Sequence, residues 1–552
     1  MTQALFDKHR ETLDKALGAI SDRGYWSAFP ESPSPKVYGE SAAPEGEAAF
    51  RAYLGNDFPL DQPGTTDRVA TESSPFGVPL DVRYPHSNID ALLAAATAAL
   101  PAWRDAGPQA RAGVCLEILA RLHANVFELA NAVQYTTGQP FVMAFQAGGP
   151  HALDRALEAI AYAYREMTRT PPSASWEKPA GKGEPLRMTK TFHVVPRGVA
   201  LVIGCNTFPT WNSYPGLFAS LATGNPVVVK PHPRAVLPLA ITVRYAREVL
   251  AEAGFDPNLV TLAAEAPGER LASTLAVRPE VRIIDFTGST EYGDWLEANA
   301  RQAAVYTEKA GVNTIIVDST DDFAGMCRNI GFSLSLYSGQ MCTTPQNILV
   351  PAGGIETDTG HKGFDEVAAG IAAAVGKVAG NVEVIGAIVN DGVLDRLARA
   401  REAGEVVLDS QPVEHPSFGS AVVRTPLVVK VGTGDPAAAP YAREWFGPIS
   451  FVVATESTEQ SIEVFRKTVG ERGALTASVY STDEKVLDAV EEAAMEVGVH
   501  LSGNLTGGVF VNQSAAFSDF HASGANPAAN ATLTDGAYVA SRFRVVQSRR
   551  HI

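Results

Sequence analysis

The spacing of apolar residues divides the chain into an amino-terminal part with helical periodicity and a longer part rich in strands. Runs in which apolar residues recur every three or four positions cover residues 1–30, 89–138 and 151–167. This period is typical of amphipathic helices that cover a larger body. A tract rich in proline, serine and glycine at residues 29–77 predicts a loop, so we expect residues 1–75 to form an extension.

From residue 187 onward, short apolar runs separated by helical stretches replace this pattern. The predicted strands are residues 187–195, 198–204, 227–230, 259–262, 282–286, 314–317, 348–350, 405–408, 426–431, 449–454, 473–480, 509–512 and 538–547. β-Branched runs that alternate with helices are typical of parallel sheets covered on both faces. The sequence therefore predicts an α/β fold, in which ligands bind at the carboxyl ends of the strands.

Composition narrows the possible functions. A chain of 552 residues is too long for one ordinary core, so we expect two or three domains. The net charge of −16 argues against binding to nucleic acid or to an anionic membrane surface. The amino terminus is polar and the chain has no long apolar run, which predicts a cytoplasmic protein with no membrane span.

The cysteines and histidines show no metal-binding or disulfide pattern. The four cysteines, at positions 115, 205, 327 and 342, are widely separated and include no CxxC pair. The 11 histidines include no HExxH spacing. We therefore expect no disulfide framework and no metal site.

Several predicted strands end in residues that could bind a ligand. Asn206 follows the strand at 198–204, Lys230 ends the next one, and Gly288-Ser289 follows the strand at 282–286. A helix beginning at Gly288-Ser289 could hold a phosphate with its free N–H groups. The chain has no GxGxxG fingerprint, and each feature alone has an ordinary structural interpretation, as a turn or a solvated lysine.

Cys342 is the candidate nucleophile. It lies in the segment SGQMCTT, and Glu308, in TEKAGVN, precedes it by 34 positions. A carboxylate near a thiol can activate the thiol, or the water that later releases an acyl group. A lone cysteine is more often a small buried apolar residue, so this pair alone does not decide the function.

The order of the motifs resembles that of the aldehyde dehydrogenase superfamily from about residue 76 to the carboxyl terminus. In chain order the matching segments are Asn206 with Phe208-Pro209, Lys230-Pro231, FTGSTEYG, TEKAGVN, GQMC and EWFGP. Within the superfamily, three further segments resemble the PaaN-type dehydrogenases of phenylacetate degradation. These segments are GYWSAFPESPSPKVYGE, MAFQAGGPHALDRALEA and VNQSAAFSDFHASGANPAANAT.

The resemblance implies two Rossmann-like parallel-sheet domains and an oligomerisation arm. Residues 76–184 and 197–309 would form the dinucleotide-binding domain, and residues 310–515 the catalytic domain. The arm and the carboxyl-terminal tail would be residues 185–196 and 530–552. Because the family's arm pairs subunits, we expect a homodimer or a homotetramer.

The resemblance also implies catalytic roles. Cys342 would attack the aldehyde carbon, and Asn206 with the backbone N–H of Cys342 would hold the oxyanion. Glu308 would activate the water that hydrolyses the resulting thioester. This base favours a free acid as product over a coenzyme A thioester.

Five residues would bind the nicotinamide cofactor, according to the resemblance. Lys230 would contact the adenosine ribose, Gly288 and Ser289 the pyrophosphate, and Glu444 with Phe446 the nicotinamide ribose and ring. Many NAD-using members carry a carboxylate three residues after the lysine, where this chain has Pro233, with His232 and Arg234 beside it. Without a carboxylate at this position, nothing there would repel the 2′-phosphate of NADP. The sequence therefore predicts NADP, with NAD also possible.

The substrate is implied by the resemblance alone. PaaN-type enzymes are associated with a coenzyme A-linked semialdehyde from ring opening in phenylacetate catabolism. Another aromatic or aliphatic aldehyde, and release of the acyl group to coenzyme A, remain open. So do two functions of other classes, a cysteine hydrolase and a catalytically silent binding subunit.

Overall fold

The computed structural model describes residues 2–378, 380–434 and 439–552. The helices are α1 (Thr2–Asp22), α2 (Pro35–Tyr38), α3 (Ala42–Arg51), α4 (Ile89–Asp105), α5 (Gly107–Ala124), α6 (Val126–Thr137), α7 (Phe141–Gly148), α8 (Pro150–Thr168), α9 (Pro209–Ala222), α10 (Leu237–Glu252), α11 (Leu271–Ala276), α12 (Thr290–Asn299), α13 (Phe323–Ser335), α14 (Phe364–Val378), α15 (Gly392–Arg401), α16 (Thr458–Arg472), α17 (Glu484–Val497) and α18 (Gly536–Ala540). Single 3-10 turns lie at Pro257–Leu259, Leu336–Gly339 and Pro440–Ala442.

The strands are β1 (Thr65–Val69), β2 (Tyr84–Ser87), β3 (Ser173–Ala180), β4 (Gly183–Pro196), β5 (Val199–Ile203), β6 (Val227–Lys230), β7 (Val260–Leu262), β8 (Val281–Gly288), β9 (Ala304–Lys309), β10 (Thr314–Val317), β11 (Ser319–Thr320), β12 (Asn347–Pro351), β13 (Ile355–Thr357), β14 (Gly360–Lys362), β15 (Glu405–Leu408), β16 (Pro412–Val413), β17 (Val423–Arg424), β18 (Leu427–Gly432), β19 (Ile449–Thr455), β20 (Ala477–Tyr480), β21 (Leu501–Gly503) and β22 (Phe543–His551).

A five-stranded parallel sheet in the order β7-β6-β5-β8-β9 forms the first layered unit. Alternate residues of β5 enter different cores, because successive side chains of a strand point to opposite faces. Ala200 and Val202 pack with α5, α8, α9 and α10, whereas Leu201 and Ile203 pack with α4, α11 and α12. Burial on both faces explains why these strands are continuously apolar.

A seven-stranded sheet in the order β15-β18-β19-β12-β10-β20-β21 forms the second unit. Its strands are parallel except for the edge strand β15. Helices α15, α16 and α17 cover one face, and α13 and α14 cover the other. The predicted α/β class is confirmed, and none of the described helices is both long and apolar enough to span a bilayer.

The remaining long strands form an antiparallel sheet in the order β22-β4-β3, most of which is exposed. A buried ion pair near its base joins Arg542 to Asp285 of β8, with Nη1 and Oδ2 2.8 Å apart. Tyr538 donates its hydroxyl to the same carboxylate at 2.7 Å. These contacts fix the start of the carboxyl-terminal strand to the five-stranded sheet.

Two predicted strands need correction. Residues 509–512 form an irregular segment, in which Phe510 stacks on Phe332 at 4.2 Å and Asn512 donates to the Ser333 carbonyl at 3.0 Å. These contacts to α13 replace strand pairing. The terminal strand begins at Phe543, because Asp535 caps the short helix α18 that precedes it.

Candidate active site

The loop that carries Cys342 is held in a left-handed conformation. After α13 ends, Tyr337, Ser338 and Gly339 have φ values of 53°, 52° and 63°. Such values cost a non-glycine residue about 1–2 kcal/mol. Buried hydrogen bonds hold the loop, since Ser338 Oγ donates to the Gly386 carbonyl at 3.0 Å and Gln340 Nε2 to the Ala387 carbonyl at 2.9 Å.

Three reactive side chains meet behind this loop. The sulfur of Cys342, a carboxylate oxygen of Glu308 and a ring nitrogen of His521 all lie within 4.8 Å of one another. Glu308 belongs to the edge strand β9 and is 1 % exposed, and its Oε1 lies 3.0 Å from His521 Nε2. Its other oxygen, Oε2, accepts a hydrogen bond from Asn212 Nδ2 at 3.1 Å. The carboxylate is thus held at both oxygens beside the sulfur.

The electrostatics assign opposite roles to the two groups. Burial raises the pKa of Glu308, but the charge and hydrogen bond of His521, with contributions from Cys342 and Arg155, bring it below its ordinary value. Burial, followed by the charge and hydrogen bond of Glu308, raises the pKa of the Cys342 thiol well above its ordinary value. The resting pair is therefore an ionised carboxylate beside a protonated thiol, as a base and its nucleophile require.

A cavity of about 510 Å³ opens onto Cys342. Its walls are largely aromatic or apolar and include Trp26, Met143, Phe208, Trp211, Phe332 and Phe510. Four carboxylates also line it, from Glu31, Asp154, Glu383 and Asp519. Among the described residues, none of those lining the cavity is a lysine or an arginine.

Part of this wall comes from the amino-terminal extension, through residues 25–27 and Glu31. Asp154 of α8 fixes the segment, since it accepts hydrogen bonds from Ser27 Oγ at 2.6 Å and from the Ala28 N–H at 2.9 Å. Trp26 packs edge-on against Phe517, with ring centroids 4.8 Å apart. The extension, which has no catalytic motif of its own, therefore forms part of the cavity wall.

The predicted dinucleotide residues lie at one edge of the five-stranded sheet. Ile203, near the end of β5, pairs with Lys230 on one side and with Phe286 on the other. Lys230 forms a buried ion pair with Glu265, which follows β7 and also accepts the Leu271 N–H at 3.0 Å. A carboxylate therefore faces Lys230, supplied by a neighbouring strand instead of by position 233.

Gly288 and Ser289 form the turn between β8 and α12. Ser289 caps the helix, because its hydroxyl accepts the Tyr292 N–H at 3.3 Å. A Cβ atom at position 288 would lie 2.6 Å from the end of the Phe286 ring, so any other residue would require this ring to shift. Thr290 and Glu291 at the start of α12 are exposed, and the N–H groups there suit a pyrophosphate.

Glu444 and Phe446 lie on a loop that packs against residues 339–346, next to Cys342. Arg396 Nε donates to the Phe446 carbonyl at 2.8 Å and fixes the loop. Burial, opposed by the charge of Arg396, raises the pKa of Glu444 to about 8. The structure thus brings these two residues to the loop that carries Cys342, on a different element from Lys230 and Gly288.

Residues 83–533 match the Aldehyde dehydrogenase family, which is most of the chain. The chain belongs to this family. The predicted superfamily and enzyme class, an oxidoreductase that acts on the aldehyde group, are therefore confirmed.

Individual relatives agree with this assignment. The crystal structure of an NAD-dependent aldehyde dehydrogenase from Burkholderia multivorans is 62% identical, covers 100% of both chains and has a TM-score of 0.98. The 1-pyrroline-5-carboxylate dehydrogenase 2 of Bacillus subtilis (strain 168) is 25% identical over 84% of this chain and 88% of its own length. The N-succinylglutamate 5-semialdehyde dehydrogenase of Chromobacterium violaceum is 25% identical over 73% and 78%.

In this aldehyde dehydrogenase, four of the predicted site residues lie at or next to the loop that carries Cys342. Cys342 and Glu308 lie side by side, and Glu444 and Phe446 lie on a loop that packs against it. Asn206 lies three residues after β5 and is partly exposed, but it is not among the residues that line the cavity. Its oxyanion role, like the cofactor roles, stays a prediction.

Three residues of the site were missed by sequence reasoning. Asn212 lies three residues after the Phe208-Pro209 motif, and His521 lies within the segment VNQSAAFSDFHASGANPAANAT, but neither motif singled out these residues. Glu265 follows a strand that carried no recognised motif. Cysteine, histidine and glutamate can also coordinate a transition metal, so the predicted absence of a metal stays a prediction.

Proposed function

We propose that this protein oxidises an aldehyde to a carboxylic acid through a thioester on Cys342. One observation carries the proposal, namely an ionised, doubly hydrogen-bonded Glu308 beside the Cys342 thiol at the end of a cavity. A cysteine hydrolase would leave Lys230 and the exposed start of α12 without a role. A silent binding subunit would not need the carboxylate and thiol together.

The residues support a two-stage mechanism. Glu308 accepts the thiol proton as Cys342 sulfur bonds to the aldehyde carbon, and the new oxyanion is held by the Cys342 N–H and, as the resemblance implies, by Asn206. A nicotinamide cofactor, held by Lys230, Gly288, Ser289, Glu444 and Phe446, would supply the hydride acceptor, and loss of hydride from this carbon would leave a thioester on Cys342. Glu308 releases that first proton to solvent, then takes a proton from water as the water oxygen attacks the thioester, and passes it to the Cys342 sulfur as the acid departs.

We propose NAD as the preferred cofactor, which revises the NADP prediction. That prediction assumed that no carboxylate faces Lys230, and Glu265 removes its premise. In Rossmann-type sites an acidic residue accepts hydrogen bonds from the ribose 2′-hydroxyl and repels a 2′-phosphate. The Burkholderia multivorans relative, named NAD-dependent, agrees with this choice.

We propose that the substrate carries an uncharged aromatic or apolar group next to its aldehyde. A cavity with aromatic walls and four carboxylates disfavours a negatively charged substrate, such as those in the names of the pyrroline-carboxylate and succinylglutamate relatives. The coenzyme A-linked semialdehyde of phenylacetate catabolism, suggested by the PaaN-type resemblance, fits only if its phosphates stay outside this cavity.

An assay of NADH or NADPH formation at 340 nm tests the function. The panel contains phenylacetaldehyde, aliphatic aldehydes, succinic semialdehyde and a coenzyme A-linked semialdehyde, each with both cofactors. We expect Cys342→Ala to abolish oxidation and Cys327→Ala, a buried control in α13, to retain it. Failure of every aldehyde, or full activity of Cys342→Ala, would contradict the proposal.

We also propose that the sheet β3-β4-β22 joins subunits into a homodimer or homotetramer. Leu186, Val545 and Val546 on these strands are 51%, 43% and 47% exposed. Exposed edge strands of this length need covering. Light scattering after size-exclusion chromatography would give a monomer mass if the proposal is wrong.

A further inference from the structure

His521 is a buried histidine that the mechanism above does not use. It is 3% exposed, its carbonyl accepts the Leu533 N–H at 3.0 Å, and its ring packs edge-on against Trp211 at 4.5 Å. These contacts hold the ring beside Oε1 of Glu308, whereas Asn212 contacts Oε2. Within the part of the chain that the structure describes, the side-chain hydrogen bond of His521 goes to Glu308.

The need for such a partner follows from the burial of Glu308. A carboxylate withdrawn from water tends to be protonated, and a protonated Glu308 could not accept a proton from the thiol or from water. The other groups that face it are Cys342, Cys205 and Arg155, besides the neutral Asn212. Arg155 is partly compensated by Glu158, 3.3 Å away, so His521 is the main favourable neighbour.

We propose that His521 is a positioning residue that donates its Nε2–H to Glu308, keeping the carboxylate unprotonated and directed at Cys342 during thioester hydrolysis. The inference rests on the proposed function, and it deepens that function by adding a third member to the Cys342–Glu308 pair. The donor is Nε2, because this ring nitrogen lies 3.0 Å from Oε1 of Glu308. Asn212 alone would leave Oε1 free to rotate or to take up a proton.

The test compares His521→Phe, which keeps a ring against Trp211 but has no donor, with His521→Gln, whose amide can still donate. For His521→Phe we expect a full first-turnover burst of NADH, but steady turnover slower by about ten- to a hundredfold, the range for one lost hydrogen bond to a charged group. The acid limb of the kcat profile should move to higher pH, because Glu308 loses the partner that opposes its burial. His521→Gln should recover a substantial part of the steady turnover and of the original position of the acid limb.

His500→Phe is the matched control. His500 Nε2 lies 2.6 Å from the Ala522 carbonyl, so this variant perturbs the same segment without touching Glu308. It should change the melting temperature at most, and leave the burst and the pH profile unchanged.

Two outcomes separate the failure of this inference from that of the proposed function. If the wild-type protein oxidises aldehydes but His521→Phe keeps its burst-to-steady ratio and acid limb, His521 is structural and the inference is overturned. If the wild-type protein oxidises no aldehyde, the proposed function fails first. A shared loss of melting temperature and activity in both His521 variants, with an unshifted pH profile, also overturns the inference.

Discussion

Replacing Glu265 with glutamine should convert the cofactor preference. Glutamine keeps the shape of the side chain and can still accept the Leu271 N–H, but it removes the negative charge that now pairs with Lys230. Lys230 then has no buried counter-ion and becomes available to a 2′-phosphate. The variant therefore tests charge with little change of volume.

The expected change in cofactor preference is the sum of two free-energy contributions. Loss of a charge-assisted hydrogen bond to the ribose costs about 1.5–3 kcal/mol, or roughly ten- to a hundredfold in kcat/KM for NAD. Removal of a carboxylate about 5 Å from a phosphate charge relieves about 3 kcal/mol at an effective dielectric constant near 20, and salt reduces this value. With the second contribution reduced by salt to about 1 kcal/mol, the ratio of kcat/KM for NADP to that for NAD should rise by on the order of a hundredfold or more.

Initial rates at 340 nm, with each cofactor varied at saturating aldehyde, measure this ratio. Glu269→Gln is the control, because Glu269 lies in the same loop but pairs with His86, 3.1 Å away. Melting curves would detect destabilisation by the unpaired Lys230. A wild-type preference for NADP, or a ratio that Glu265→Gln changes by less than about twofold, would refute the reasoning.

Three further predictions concern the cavity, pH and stability. Trp26→Ala should raise KM for aromatic aldehydes by about tenfold with a smaller effect on kcat, because it removes an aromatic side chain from the cavity wall, worth roughly 1–2 kcal/mol of binding. An unchanged KM would show that the amino-terminal extension does not contact the substrate. Burial, opposed by hydrogen bonds and nearby charges, raises the pKa of Asp154 to about 6 and of Glu158 to about 7, so both bind more protons in the folded state. Stability should therefore increase as the pH falls from about 8 to about 6, and a melting temperature that falls over this range would contradict it. Arg542→Met should destabilise by about 3–5 kcal/mol in urea unfolding because it leaves Asp285 buried and unpaired, and Asp285→Asn in the same chain should recover part of the loss.

Much of the fold could be predicted because buried parallel strands are continuously apolar. The runs at 198–204 and 227–230 contain the observed strands β5 and β6. Strand β9 was missed, since Ala304–Lys309 mixes polar and apolar residues at the edge of its sheet. The run at 509–512 was wrong because apolar residues that line a cavity look like a strand in sequence.

Site residues could be predicted where they lie in motifs whose order resembles that of the family. They were missed where their place in the site depends on contacts between distant parts of the chain. Cys342 and Glu308 lie in recognisable segments. His521 is 213 positions from Glu308, and only the folded chain brings them within 3.0 Å. Glu265 shows the same limit, because it follows the neighbouring strand β7, 35 positions after Lys230, and only the sheet brings the two side chains together.

The most direct test of the central claim is to trap the thioester in Glu308→Gln. The variant is mixed with aldehyde and NAD, NADH release is followed by stopped flow, and the protein is quenched in acid for mass spectrometry. We predict a burst approaching one NADH per subunit that quickens with rising pH, steady turnover slower by about 10²–10⁴-fold, and an acyl adduct on Cys342. Normal steady turnover, or NADH release with no adduct on Cys342, would contradict the account.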